Sequence, residues 1–106
     1  MATDNYTEAE AEALAKFQKI REANRTKPSF EGLLEETKAW CKFEEAAPDY
    51  CPSNLNCGRV RAAEALLEHH GDLQNVFSVM FLGPDDGAYR VGFVRAIVKA
   101  QEYGLL

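Results

Sequence analysis

Long apolar runs are missing from this sequence: no stretch approaches the roughly 18 consecutive apolar residues of a membrane span. The opening residues MATDNYTEAEAEA lack the basic start and apolar centre of a secretion signal. Basic charge is short as well. Twelve Lys and Arg face 17 Asp and Glu, a net charge of −5, which excludes broad, sequence-independent nucleic-acid binding because that needs a cationic footprint. Cysteines number three, an odd count that does not suggest the paired framework of a small secreted domain. Strand-like alternation and internal repeats are absent. No glycine loop carries the lysine and Ser/Thr of a phosphate cradle; Gly83-Pro84-Asp85-Asp86-Gly87 reads as a turn. These absences leave a soluble, cytoplasmic chain, free of membrane and nucleic acid, as the expectation.

What is present is 46% hydrophobic and 27% charged residues, the balance of a globular domain rather than a disordered tail. The length of 106 residues fits one domain over 1–106, alone or excised from a longer chain, with room for one hydrophobic core.

Apolar periodicity predicts five helices, near 8–25, 30–46, 58–70, 72–82 and 88–102. Thr7 and Glu10 have the spacing of a capping box, and Ala13, Leu14, Phe17 and Ile20 form one stripe after it. Ser29 can cap the second helix, where Phe30, Leu33, Leu34, Thr37, Trp40 and Cys41 follow the helical repeat most closely. In the third, Val60, Ala63, Leu66 and Leu67 face inward and Gly71 supplies a left-handed stop. Asp72 caps the fourth, whose inward set is Leu73, Val76, Phe77 and Met80, with Phe81 or Leu82 plugging the end of the core. Phe93, Val94, Ile97, Val98 and Tyr89 turn inward from the fifth, and Leu105-Leu106 can begin a sixth. The expectation is an all-α bundle of five to six helices, with Trp40, Leu66, Phe77, Phe93 and Ile97 in one core.

The charge is uneven. Residues 1–52 hold 7 Lys/Arg against 11 Asp/Glu, residues 53–106 hold 5 against 6. Acids gather at Glu31, Glu35, Glu36, Glu44 and Glu45, and bases at Arg59, Arg61, Arg90, Arg95 and Lys99. Such an asymmetry can serve head-to-tail association between rigid units, and equally it keeps a helical surface solvated.

The block from Gly71 to Leu105 resembles the C-terminal half of a caspase recruitment domain (CARD), of the kind found at the N-termini of RIG-I-like viral-RNA-sensing helicases. Gly71-Asp72-Leu73-Gln74-Asn75-Val76 is similar to the glycine-led start of that family's fourth helix. Gly87-Ala88-Tyr89 stands where the family has a glycine and an aromatic residue, Phe93-Val94-Arg95-Ala96-Ile97 resembles its core strip, and Ala100 through Tyr103-Gly104-Leu105 resembles the ending before its last helix. Arg95 occupies a position that is acidic in the family. The resemblance implies a death-fold bundle that acts by homotypic assembly in cytosolic innate antiviral signalling. It also implies a CARD-containing adaptor or sensor protein as partner, with self-association as a variant. The charge pattern nominates Glu35, Glu36, Glu44 and Glu45 and, opposite in sign, Arg90, Arg95 and Lys99 as the partner-binding set.

Competing chemistry is thin. Cys41, Cys51 and Cys57 give C-x9-C-x5-C, close to the first three ligands of a Cys3His zinc finger, yet the fourth position is Arg61. His69 and His70 lie about 18 Å along a helix from Cys57, beyond the reach of a shared metal. The three cysteines are therefore weak metal candidates, expected as free thiols. His69-His70 point about 100° apart with no Ser, Cys or carboxylate placed to form a triad. The chain is expected to be no enzyme and to hold no cofactor. Two other readings stay open. Residues 59–81 also resemble the last two helices of ubiquitin-binding CUE and UBA domains, although Ala47-Pro48-Asp49-Tyr50 stands where their Met-Phe-Pro motif belongs. A small viral or phage protein that blocks a host protein is the other.

Overall fold

The computed structural model describes residues 6–106; residues 1–5, part of the segment read for a secretion signal, lie outside the described residues. The first helix, α1 (Glu8–Thr26), starts at the capping box: the Thr7 hydroxyl accepts from the Glu10 N–H at 3.1 Å, and the Glu10 carboxylate accepts from the Thr7 N–H at 2.9 Å. Ser29 caps α2 (Phe30–Glu45) by accepting from the Gly32 N–H at 2.9 Å. Each cap satisfies a backbone donor that the first turn leaves without a partner.

The third helix, α3 (Asn54–Glu68), begins four residues before the position expected from its apolar repeat, with Ser53 as its cap. The polar first turn Asn54-Leu55-Asn56-Cys57 hid this start, and it places Cys57 on the helix. At the other end His70 and Gly71 both adopt positive φ, 51° and 79°, and the Gly71 N–H closes back on the Leu66 carbonyl at 2.9 Å. This is the left-handed termination that glycine permits without steric cost. Asp72 is the N-cap residue of α4 (Leu73–Leu82), as expected, but its carboxylate makes no capping hydrogen bond and instead accepts from the Asn75 side chain. Asp86 caps α5 (Gly87–Glu102), accepting from the Tyr89 N–H at 3.0 Å and from Asn54 at 3.1 Å, so one carboxylate joins the starts of α3 and α5. The described residues hold five helices and no strand. Residues 105–106 form no sixth helix; Leu105 packs against the core.

The core is built on α3 and α5. Leu33, Leu66, Val76 and Phe93 are its largest fully buried side chains, each contributing roughly 1.5–3 kcal/mol by leaving water. Phe77 packs against them from α4 while staying half-buried. Trp40 departs from the single-core expectation. It joins a separate aromatic cluster between α1 and α2, with ring centroids 5.0 Å from Phe17 and 5.4 Å from Phe43. Phe81 and Leu82 do not plug the core either: they are 65% and 87% exposed.

The closest helix contact explains a further correction. Gly58 on α3 and Gly92 on α5 face each other's backbone. A Cβ on Gly58 would lie 2.0 Å from the Tyr89 carbonyl oxygen, and one on Gly92 would lie 2.0 Å from that of Leu55. Ala62, Ala65, Ala96 and Ala100, all buried, continue this small-residue seam. Laying Gly92, Phe93, Ala96, Ile97 and Ala100 on α3 rotates Val94 and Val98 outward, where they are 43% and 44% exposed rather than buried.

Gly92→Ala sets two effects against each other. Helix propensity favours alanine by about 1 kcal/mol, whereas the clash is with backbone that cannot swing aside. The clash should win, lowering the stability measured by urea unfolding by about 3 kcal/mol or more. Gly87→Ala, where an added Cβ meets nothing within 4 Å, should be neutral or slightly stabilising. Equal behaviour of the two variants would disprove the close approach.

Candidate functional site

Helix α2 packs along α3 and carries α1 on its other side, and it touches α5 only sparsely, so a groove of about 460 Å³ opens between α1–α2 and α5. Its floor is Phe17, Thr37 and Trp40; Val94 and Val98 of α5 form the opposite lip. At about 100° per residue, Val91, Val94 and Val98 lie on the side of α5 facing away from its buried stripe, at an i, i+3, i+7 spacing. The helix is thus apolar on two faces, and only one of them is covered.

The groove is cationic although the chain is acidic. Arg21, Arg59, Arg95 and Lys99 line it against two carboxylates, Glu36 and Glu102, and both carboxylates are engaged. Glu102 pairs with Lys99 at 3.1 Å. Glu36 is buried, and its Oε1 accepts from Asn24 Nδ2 at 3.0 Å and from the Tyr103 hydroxyl. Asn24 also donates to the Gly32 carbonyl at 2.8 Å. A single carboxylate oxygen therefore clasps α1, α2 and the end of α5, and the hydrogen bonds offset the cost of its burial. Arg59 holds Glu44 at 3.3 Å. Arg21 and Arg95 make no ion pair among the described residues.

The acidic set nominated from sequence is thereby revised. Glu35 and Glu45 are exposed, Glu44 is half-buried on Arg59, and Glu36 is buried at the groove as an internal hydrogen-bond acceptor. Its position one residue after Glu35 concealed this, since only tertiary packing distinguishes them. On α5, Arg90 reaches Asp85 at 3.4 Å and lies 5.4 Å from the Phe81 ring centre. Arg95 and Lys99 lie beside the groove as neighbours one turn apart. Sequence reasoning missed Arg21, Trp40 and Val94 as one constellation, because they come from three helices.

The cysteines separate into two environments. Cys41 is buried, and Cys51 and Cys57 are exposed. Burial, opposed by the nearby Arg59 and aided by Glu44 and Glu45, pushes the Cys41 thiol up to about 11, so it is protonated and a poor nucleophile at neutral pH. Cys41 and Cys57 border a second cleft with Tyr50 and Tyr89. Among the described residues no group of three His, Cys, Asp or Glu side chains has the geometry to hold a metal ion. No helix among them is long and apolar enough to cross a membrane. The chain matches no protein-family model, no curated protein and no solved structure.

Two measurements probe these environments. A disulfide-exchange reagent should titrate Cys51 and Cys57 promptly and Cys41 only on unfolding; a third fast thiol would contradict its burial. Desolvation, and then the Glu36 carboxylate that accepts its proton, push the Tyr103 hydroxyl well above the ordinary tyrosine range. The fold therefore holds the neutral phenol. Its contribution is full below about pH 10, where unfolded tyrosine is still protonated, and is lost as pH climbs beyond that. Tyr103→Phe should cost about 1–2 kcal/mol at neutral pH and lessen the alkaline fall in the urea midpoint. An unchanged midpoint and alkaline profile would mean that the clasp contributes nothing.

Proposed function

We propose that this chain is a protein–protein interaction module of the caspase-recruitment type, acting by assembly with other helical domains and not by catalysis. The observation that carries the reading is the uncovered face of α5. Three valines stand exposed in a row with Arg95 and Lys99 beside them, an arrangement suited to a partner surface that is apolar at its centre and acidic at its edge. The exposed acids of α2, Glu31, Glu35 and Glu45, offer the complementary sign for head-to-tail contact with a second copy or a related domain. The resemblance of Gly71 to Leu105 adds the functional setting: a cytoplasmic antiviral signalling pathway with a CARD-containing adaptor or sensor as partner.

A second reading draws on a different surface. Phe81 and Leu82 project from the end of α4 largely into solvent at the α4–α5 turn, and an exposed apolar pair of this kind suits ubiquitin binding as in CUE or UBA domains.

Sedimentation across a salt series separates the two. Assembly with a candidate caspase-recruitment domain, or with itself, should weaken as salt rises, because rim charges are screened over about 8 Å at physiological ionic strength. Arg95→Glu with Lys99→Glu should abolish it while leaving the helical circular-dichroism signal intact, since both side chains lie outside the core. If the double variant assembles normally, the α5 surface is the wrong one. Capture of ubiquitin that is lost in Phe81→Ser with Leu82→Ser would favour the second reading.

A further inference from the structure

We infer that the groove between α1–α2 and α5 receives an acidic amphipathic helix from a partner protein. The inference rests on the interaction-module reading and specifies what that surface binds. Three features select the occupant. The walls are helices, with no strand edge to add to; a helix, which satisfies its own N–H and C=O groups, docks on such walls through side chains alone. Val94 and Val98, one turn apart on the groove's lip, present the i, i+4 spacing that meshes with apolar side chains of a facing helix, and the aromatic floor of Phe17 and Trp40 receives the same apolar face. The charge at the rim is the third. Of its four cations, Arg59 pairs with Glu44 and Lys99 with Glu102, while among the described residues Arg21 and Arg95 have no ion pair and face only the buried Glu36, which leaves a small cationic surplus on a chain whose net charge is −5. A neutral or basic helix would leave Arg21 and Arg95 facing apolar or like-charged surface.

The α5 wall of the groove runs from Val94 to Glu102, more than two helical turns and roughly 12 Å, so a docked segment of two to three turns fills it. The partner need not be a folded domain. A disordered acidic segment that becomes helical on docking meets every requirement.

Trp40 is the only tryptophan and lies half-buried on the groove floor, so its emission reports occupancy directly. The probe is a synthetic peptide of about three turns with leucine repeating at helical spacing and glutamate elsewhere; its control carries lysine for every glutamate. The glutamate peptide should shift Trp40 emission to the blue, saturably, and the lysine peptide should bind about tenfold more weakly or not at all. Arg95→Glu with Lys99→Glu should reverse that preference, and Val94→Ser with Val98→Ser should weaken both peptides without altering the fold. No saturable change with the glutamate peptide, or equal binding of both peptides, overturns the inference. Sedimentation of the same samples keeps its failure distinct from that of the interaction reading. Salt-sensitive domain assembly without peptide binding defeats the inference alone. Peptide binding without assembly supports it and counts against homotypic association.

Discussion

The backbone-to-backbone contact between α3 and α5 is the constraint on which the rest of the molecule depends. With Gly58 and Gly92 each pressed against the other helix's carbonyl groups, both the separation and the rotation of α5 are settled. Any side chain at either position would force the helices apart and open space around Phe93 and Leu66, which are fully buried. Close packing makes such voids expensive, because the lining atoms lose dispersion contacts that nothing replaces. The Asp86 carboxylate reinforces the alignment by joining the first turns of both helices. Those hydrogen bonds, to the Tyr89 N–H and then to Asn54, also hold its acidity above that of an ordinary aspartate.

The α1–α2 pair is attached on different terms. It contributes Leu33 to the main core, but α1 is otherwise held to α2 by the Phe17–Trp40–Phe43 cluster and by the polar clasp of Asn24, Glu36 and Tyr103. A clasp made by one carboxylate oxygen demands specific geometry where apolar packing would tolerate sliding. It fixes the end of α5 against α2 at one point and leaves the length between them unfilled, which is the groove.

Most of the helix starts and the α3 stop were legible in the sequence because their signals are local. Thr7 with Glu10, Ser29 and Gly71 act through hydrogen bonds and dihedral preferences within a few residues. The face of α5 was not legible from apolar periodicity, since Phe93 with Ile97 and Val94 with Val98 satisfy the same repeat. The discriminating signal was smallness: Gly92, Ala96 and Ala100 recur every four residues on α5, matched by Gly58 and Ala62 on α3, and such a stripe marks the side that a second backbone approaches. The candidate site was legible only in part. Arg95 and Lys99 were within reach of charge patterning, whereas the burial of Glu36 and the alignment of Arg21, Trp40 and Val94 arise from long-range packing that no local pattern encodes.

These two layers of constraint bear on function together. Given the glycine contact, the far side of α5 is free to carry any soluble residue; lysine or glutamate there would lower the exposed apolar area without touching the core. Valine is also a weaker helix former than either, because its branched side chain loses rotamer freedom against the preceding turn. Three valines at helical spacing on that side therefore work against both solubility and helix propensity. Each is more than two-fifths exposed, so the fold gains only part of what their full burial would give. The same argument extends across the groove to Trp40, whose half-exposed ring would be better buried, and to Arg21 and Arg95, whose charges stand beside apolar surface on an otherwise acidic chain. Each residue alone is an ordinary surface feature; it is their convergence on one groove that supports the proposed docking of a complementary partner there.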